Sequence, residues 1–469
     1  MEKAYSRVDE ALLARLREIV GEENVLVSGE EKEPYTHDEV AELHHEPEAV
    51  VQAVRTEQIC AILRLAGASN VPVTPRGAGQ GLSGGSVPVL GGIVLSLEKM
   101  NRILEIDPDN LMVTVEPGVI TGELHRAVEA EGLFYPPDPA SLDSCSIGGN
   151  IAENAGGPRA VKYGVTRHYV CGLEAVLPSG EVVTMGGKLV KDVTGYDLMQ
   201  LLIGSEGTLA VVTKIILRLL PLPTVRVDLL VPFNDFLAAS RTVSEIIRSR
   251  VVPTALEFMQ KDSILAVEAL SEKEIPFHDA EAHLLITLDG NDQPAVDAAY
   301  EKVGEICLKN GAVDVLVADT PKLRDKLWEA RRLIIEALQH LSPERIMETE
   351  DLAVPRSRIP DLLEQIRTIS QKYGMNIISF GHAGDGNVHV NVIKDMPEAE
   401  WQTKKRAVSE DLYRAALSLG GVITGEHGIG LTRREFLPMA VDAQQIALMK
   451  QIKEAFDPAG ILNPGKIFP

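Results

Sequence analysis

Histidines set in glycine-rich turns are the residues of this chain best placed for chemistry. One run is Gly381-His382-Ala383-Gly384-Asp385-Gly386-Asn387-Val388-His389-Val390-Asn391; a second, further on, is Gly425-Glu426-His427-Gly428-Ile429-Gly430. Ser379 and Phe380 lead into the first run, and residues 388–393 alternate apolar and polar side chains on leaving it. That pattern predicts a strand, a tight turn and a second strand. Side chains alternate across a strand, so His389 and Asn391 share one face, with His382 at the mouth of the turn. Two imidazoles and one carboxylate are a usual set for a divalent catalytic metal with an open position, and His427 beside them is left unliganded. A single His near a glycine turn is usually just a hydrogen-bonded loop residue. Three of the eleven histidines fall in these two loops, and one adjoins a Glu, which favours a site.

A different chemistry is written in the first half. Residues 75–85, Pro-Arg-Gly-Ala-Gly-Gln-Gly-Leu-Ser-Gly-Gly, are too dense in glycine for an ordinary helix start. Without Cβ atoms in the way, successive N–H groups can converge on an anion such as phosphate. The run lacks the closing Gly-Lys-Ser/Thr of a Walker loop and the spacing of a dinucleotide GxGxxG. Two further segments share its texture. One runs from Pro136 through Ser146-Ile147-Gly148-Gly149-Asn150 to Asn154-Ala155-Gly156-Gly157 and Tyr163-Gly164; the other is Gly195-Tyr196-Asp197-Leu198 with Gly204-Ser205-Glu206-Gly207-Thr208. Three such loops in one domain suit an extended cofactor with a pyrophosphate.

The elements that must position these loops follow from periodicity. Apolar residues at helical spacing from Val8 to Val20 predict an N-terminal helix. From about residue 47 to 222 short apolar strands (71–74, 92–97, 111–115, 170–177) alternate with glycine-rich turns, an α+β texture. Pro221-Leu222-Pro223 has the composition of a linker. After it, strands at 225–231, 253–258, 283–288, 313–317 and 346–354 alternate with helices near 233–250, 294–310 and 321–340, which predicts a sheet with helices stacked on one side. Residues 457–466 form a turn-rich tail.

Bulk properties narrow the function classes. At 469 residues the chain is long enough for two or three domains. With 46 Lys and Arg against 68 Asp and Glu, its net charge of −22 repels phosphate backbones and anionic lipid. The N-terminal residues have no apolar stretch of signal-peptide type, and no run is long enough to span a membrane. Cys60, Cys145, Cys171 and Cys307 are scattered, with no CxxC, so neither a disulfide framework nor an iron–sulfur cluster is expected and a reducing cytoplasm fits.

Taken together, the segments 75–85, 136–157, 204–208, 381–391, 425–430 and 463–466 resemble those of the flavin-dependent 2-hydroxyacid dehydrogenases with the vanillyl-alcohol-oxidase-type FAD fold. The similarity runs from about residue 40 to Pro469 and points to the D-lactate dehydrogenase, glycolate oxidase D-subunit and D-2-hydroxyglutarate dehydrogenase group. The resemblance implies an FAD domain of two α+β subdomains (1–222), a substrate or cap domain with an antiparallel sheet (223–425) and a C-terminal segment (426–469) returning to the FAD domain and active site. It implies cofactor contacts from Arg76, Gly77, Ala78, Gly79, Gln80, Gly81 and Leu82, from Pro137 and Asp138, and from Ser146, Gly148, Gly149 and Asn150. Further contacts are implied from Asn154, Gly156, Gly157, Tyr163 and Gly164, and from Glu206, Gly207, Val212 and Asn463. His382, His389 and Glu426 match the family's metal ligands (Zn, Fe or Mn), His427 its general base, Arg331 its contact to the substrate carboxylate and Asn391 a polar active-site residue.

Three departures bear on specificity. Relatives that bind FAD covalently through the first loop carry a His where this chain has Gln80, so dissociable FAD is expected. Hydroxyglutarate-oxidising relatives have a hydroxyl residue at the position of Ile335 and a Lys at that of Thr349. Losing both polar contacts favours D-lactate or glycolate over a dicarboxylate. Electrons from FAD must leave to an electron-transferring flavoprotein, an iron–sulfur subunit, a quinone or cytochrome chain, or oxygen, within a homo- or hetero-oligomer. A metal-dependent hydrolase or lyase would need only the His loops, and a flavin subunit that merely relays electrons only the glycine segments.

Overall fold

The structure, a computed structural model, describes residues 4–318 and 320–469; the first domain expected from the sequence therefore begins with three residues outside the described ones. Two compact units emerge, one made of residues 1–156, 165–222 and 426–469, the other of residues 157–164 and 223–425.

The first unit opens with the helix Glu10–Val20. Asp9 caps it by accepting from Leu12 N at 2.8 Å, and Leu12, Leu13, Leu16 and Val20 are buried along one stripe. That stripe shares a core with the helix Thr56–Ser69 and with Val51, Val73, Ile93 and Leu95. These last residues belong to a four-stranded sheet in which Ile93–Ser96 runs parallel between Ala49–Gln52 and Val73–Arg76. Five antiparallel strands make the second sheet of this unit, centred on Val211–Arg218 between Met112–Val115 and Val170–Val176. Two α+β subdomains result, as the resemblance implies.

Two segments differ from the sequence expectation. Pro221, the first residue of the expected 221–223 linker, belongs to the short strand Leu220–Pro221, which pairs with Leu133–Phe134. The turn-rich tail is stitched to the Val73–Arg76 edge: Val73 N donates to Ile461 O at 2.8 Å, and Asn463 N to Val73 O at 2.7 Å. Both are ladder contacts between distant residues, which local composition does not encode.

A seven-stranded antiparallel sheet forms the second unit. Its order is Leu316–Ala318, Val225–Phe233, Ala282–Gly290, Ala255–Gln260, Ile377–Gly381, Asn387–Ile393, Met347–Ala353. Helices Lys261–Ser271, Pro321–Arg332 and Ile334–Gln339 share a core with Leu230, Met259, Leu285, Ile378 and Phe380 on one face. Phe236–Arg248, Gln293–Lys309 and Ile359–Tyr373 pack on the other. Helices thus cover both faces, not one as expected. The strand residues say why: Asn387–Ile393 is buried along its whole length, and such strands need cover on either side. The single helix expected over 321–340 is two, divided at Leu333 with no Gly or Pro to mark the break.

His283, on Ala282–Gly290, is fully buried, with Nε2 bonded to Phe277 O at 3.0 Å. Burial pushes its imidazole down to about 4, from an ordinary value of 6.5. Between those two values the unfolded chain binds the extra proton, so this group's contribution is present above pH 6.5 and lost as pH falls through 4. The amount is on the order of 3 kcal/mol. Urea unfolding of His283→Gln, which keeps a donor for Phe277, is expected to show a shallower loss of stability across that window than the parent chain. Equal slopes would count against it.

Candidate active site

Strand register assembles the chemistry of the second unit. Phe258 pairs with Gly381, which brings Glu257 on Ala255–Gln260 beside His382 at the end of Ile377–Gly381. Glu257 is completely buried and holds two cations' worth of donors. His382 Nδ1 lies 2.9 Å from both of its carboxylate oxygens, and Arg331 donates from Nε at 2.8 Å and Nη2 at 2.7 Å. Burial alone would push the Glu257 carboxyl up, but His382 and Arg331 outweigh it and hold the group below the usual carboxylate range. Arg331, at the end of Pro321–Arg332, is itself only 5% exposed, and its guanidinium lies 4.6 Å over the Phe380 ring. Its Nη1 makes no hydrogen bond among the described residues. An arginine fixed on one side and open on the other suits a carboxylate ligand.

His389 stacks edge-on with His382, ring centroids 5.1 Å apart, and the two present ring nitrogens within 4.8 Å of each other. Across the sheet His389 faces Asp351, whose Oδ1 is 3.6 Å from His389 Nδ1. Asp351 is fully buried. Its carboxylate accepts from Asn387 Nδ2 at 2.7 Å, Thr424 Oγ1 at 2.8 Å and Gly425 N at 2.8 Å. It thereby fixes the backbone one bond before Glu426. Asn391, also fully buried, donates to Ile378 O at 3.2 Å and accepts from Thr349 Oγ1 at 3.2 Å. Its amide is held within the sheet, on the same face as His389.

Glu257 and Asp351 are functional candidates that sequence reasoning missed. Glu257 is a buried carboxylate orienting an imidazole, the arrangement that sets a ligand's tautomer in metal sites, and Asp351 is a buried carboxylate that fixes Thr424 and Gly425. For Glu257 a signal existed, a charge in the middle of the otherwise apolar Ala255–Gln260.

In the first unit the glycine loops form a cradle. A Cβ at Gly77 would lie 2.3 Å from Ser146 Oγ, and Gly79 has φ +75 with Arg76 Nη2 only 2.0 Å from where its Cβ would be. Residues 77–82 remain partly exposed, so their backbone offers a surface without side-chain cover. Ser146 caps Ile147–Glu153, accepting from Gly149 N at 3.3 Å. Loops so poor in side chains leave room for the close approach of a phosphate-bearing cofactor. Several expected contacts have other commitments, however. Arg76 is buried, and its guanidinium donates to His37 O at 2.7 Å, Pro34 O at 2.8 Å and Ser86 Oγ at 3.1 Å. Asn463 Nδ2 donates to Gly85 O at 2.9 Å and Glu206 O at 2.8 Å. Asn150 donates to Thr121 Oγ1 at 2.7 Å, and Asn154 Oδ1 accepts from Arg167 N at 2.9 Å. Gln80 Oε1 accepts from Ser144 Oγ at 2.9 Å. Pro137 O takes His125 Nε2 at 2.9 Å, next to the buried Asp138, while Val212 sits in the central strand opposite Ala175. Gly157, Tyr163 and Gly164 fall in the second unit, where Tyr163 Oη donates to Asp289 at 2.9 Å.

A glycine-lined surface in one unit, and in the other a buried carboxylate holding an arginine and an imidazole, are features that a flavoprotein oxidoreductase would use. Comparison with known proteins makes the class specific. Residues 47–186 match the FAD binding domain and residues 222–467 the FAD linked oxidases, C-terminal domain. The glycolate oxidase subunit GlcD of Bacillus subtilis is 44% identical over 97% of this chain and 96% of its own length. A D-lactate dehydrogenase of Anaerostipes hadrus is 38% identical over 99% of both. Among solved structures, p-cresol methylhydroxylase superposes with a TM-score of 0.80 at 20% identity, over 97% of this chain and 96% of that one. The chain belongs to the FAD-linked oxidase family, in its 2-hydroxyacid dehydrogenase group with the vanillyl-alcohol-oxidase-type fold, and is an FAD-dependent hydroxyacid dehydrogenase. No helix among the described residues is long and apolar enough to cross a membrane.

Proposed function

We propose that the enzyme oxidises a short D-2-hydroxyacid, D-lactate or glycolate, to the 2-oxoacid. The observation that carries this reading is Glu257 gripping Arg331 and His382 together, which ties a carboxylate-binding cation to an imidazole of metal-ligand type. Arg331 pairs through its open side with the substrate carboxylate and fixes which face of C2 is presented. His382 and His389, with Glu426 one bond beyond the anchored Gly425, hold a divalent ion (Zn, Fe or Mn), a donor set of the right chemistry. Asn391 lines the same face of the sheet. His427 takes the hydroxyl proton, as an imidazole can near neutral pH. When bound, FAD supplies the acceptor for the C2 hydride and the metal a Lewis acid for the hydroxyl.

Residues 1–222 serve FAD, 223–425 the substrate, and 426–469 return the base to the FAD domain. FAD is dissociable, because Gln80 has no ring nitrogen to bond it. Electrons pass to an electron-transferring flavoprotein or an iron–sulfur subunit in the cytoplasm; that the Bacillus subtilis relative is named a subunit supports a hetero-oligomer. A dicarboxylate fits less well. Ile335 packs into the apolar core and Thr349 Oγ1 is turned to Asn391, so neither is arranged to hold a distal carboxylate.

The test is the anaerobic visible spectrum of the purified protein with D-lactate, L-lactate, glycolate and D-2-hydroxyglutarate added separately. Bleaching of the flavin bands by D-lactate or glycolate is expected. Bleaching by D-2-hydroxyglutarate alone would overturn the substrate assignment, and bands that persist with all four would overturn the reaction.

A further inference from the structure

The His427 loop is fastened from within the first unit by Glu206, whose carboxylate, expected from the resemblance as a cofactor contact, is committed to two backbone amides instead. Glu206 sits in the left-handed region at φ +52, between Ser205 and Gly207. A non-glycine residue held there marks a conformation the surroundings impose. Its carboxylate, 7% exposed, accepts from Ile429 N at 2.9 Å through Oε1 and from Gly430 N at 2.6 Å through Oε2. Glu153 lies alongside. A Cβ at Gly428 would fall 2.5 Å from Glu153 Oε2 and 3.1 Å from Glu206 Oε1, and Gly428 has φ +85. So both carboxyl groups abut the residue directly after His427, and only glycine leaves room for them there. Glu153 Oε2 is shut off from solvent and has no hydrogen-bond partner among the described residues.

The same junction gathers the other loops. Leu431 N and Thr432 N donate to Ser83 O at 2.7 and 3.2 Å, Ile467 N donates to Gly430 O at 2.8 Å, and Asn463 bridges Gly85 and Glu206. These backbone bonds tie the stretch after His427 to the first glycine loop and the C-terminal tail, and the Glu206 carboxylate ties it to the Gly204–Gly207 segment.

We propose that Glu206 is the positioning residue for His427: its two amide bonds fix the 428–430 turn, and Glu153 fills the space under Gly428. This rests on His427 being the base. Burial, then repulsion from Glu206 and Asp38, pushes the Glu153 carboxyl well above the usual range. Burial also raises Glu206, and the two amides and the cations Lys466 and Arg433 work against that rise. Charge-assisted bonds to backbone N–H are the strong kind.

The experiment compares Glu206→Gln, Glu206→Ala and His427→Gln with the parent enzyme. A carboxamide can accept from one of the two amides only, and alanine from neither. Amide hydrogen exchange of the flavin-free protein is expected to speed up at Ile429 and Gly430, partly in Glu206→Gln and fully in Glu206→Ala. In the loaded enzyme kcat falls by roughly 10- to 100-fold through misplacement of the base, while KM and flavin content stay within about twofold. Parental exchange and kcat in both Glu206 variants, with His427→Gln impaired, overturn the proposal alone. Flavin loss or a collapsed melting temperature that accounts for all the lost activity also overturns it, leaving Glu206 a folding residue. Full activity in His427→Gln overturns the reading of the base on which it rests.

Discussion

Replacing Glu257 by Gln is expected to lower kcat/KM by about 10- to 100-fold while leaving the FAD content of the protein unchanged. The carboxylate is fully buried and makes close contacts to both Arg331 and His382. Glutamine keeps the shape but removes the charge that both partners use. One oxygen still accepts from Arg331 or from His382, and the new NH₂ faces a donor. Arg331 is then a buried cation without its counter-charge. Breaking such a pair costs about 3–5 kcal/mol, a large share of the roughly 5–15 kcal/mol that holds a native protein together. The loss falls on the second unit, so its unfolding midpoint in urea drops too. Separating the two effects is straightforward. At a temperature where the variant stays folded, a carboxylate-binding defect raises KM, and a misoriented His382 lowers affinity for added metal. A variant with parental kcat/KM and parental metal affinity, however unstable, would sink the assignment of Glu257 to the site and leave it a structural ion pair.

The legibility of this molecule in its sequence follows a physical division. Short-range patterns carried over well. Apolar spacing from Val8 to Val20 gave the first helix, alternation over residues 388–393 gave the strand that carries His389 and Asn391, and glycine density gave the loops around Gly77 and Ser146. What failed to show was anything fixed by register between distant strands. Glu257 meets His382 only because Phe258 pairs with Gly381, and Asp351 faces His389 only because Met347–Ala353 joins the sheet at its edge. The tail was read as loose turns because its two bonds to Val73 cross most of the chain length. Helices on both faces were missed for a related reason: the polar residues of 388–393 suggested one solvent-facing side, whereas the whole strand is buried. Side-chain commitments were the least visible. Arg76, a cofactor contact by the family resemblance, spends its guanidinium on two carbonyls and a hydroxyl. The family resemblance supplied His382, His389, Glu426, His427 and Arg331 as a set, whereas the carboxylates behind them required coordinates.

Replacing His427 by Gln is expected to produce the largest kinetic defect, a fall in kcat of about 10²- to 10⁴-fold, the usual worth of a positioned general base. The loop that bears it is fixed at both ends, by Asp351 through Gly425 and by Glu206 through Ile429 and Gly430, so the backbone has little freedom to follow a new side chain. Glutamine is of comparable length and neutral, and it cannot take a proton near neutral pH. Flavin content and melting temperature should therefore stay close to parental, and KM should change little, because Arg331 and the other ligands of the substrate are untouched. Two features distinguish a lost base from a general disturbance. The acid limb of kcat against pH, where an imidazole base becomes protonated, disappears in the variant. The residual rate rises with pH as the substrate hydroxyl gives up its proton to hydroxide instead. If proton removal limits the variant, its turnover also slows in D₂O more than the parent's does. A variant that keeps the parental acid limb would show that another group titrates there and that His427 serves the site by contact alone. In that case the two carboxyls packed under Gly428 would be holding a binding loop, and the proton acceptor would have to be sought among the side chains around His389.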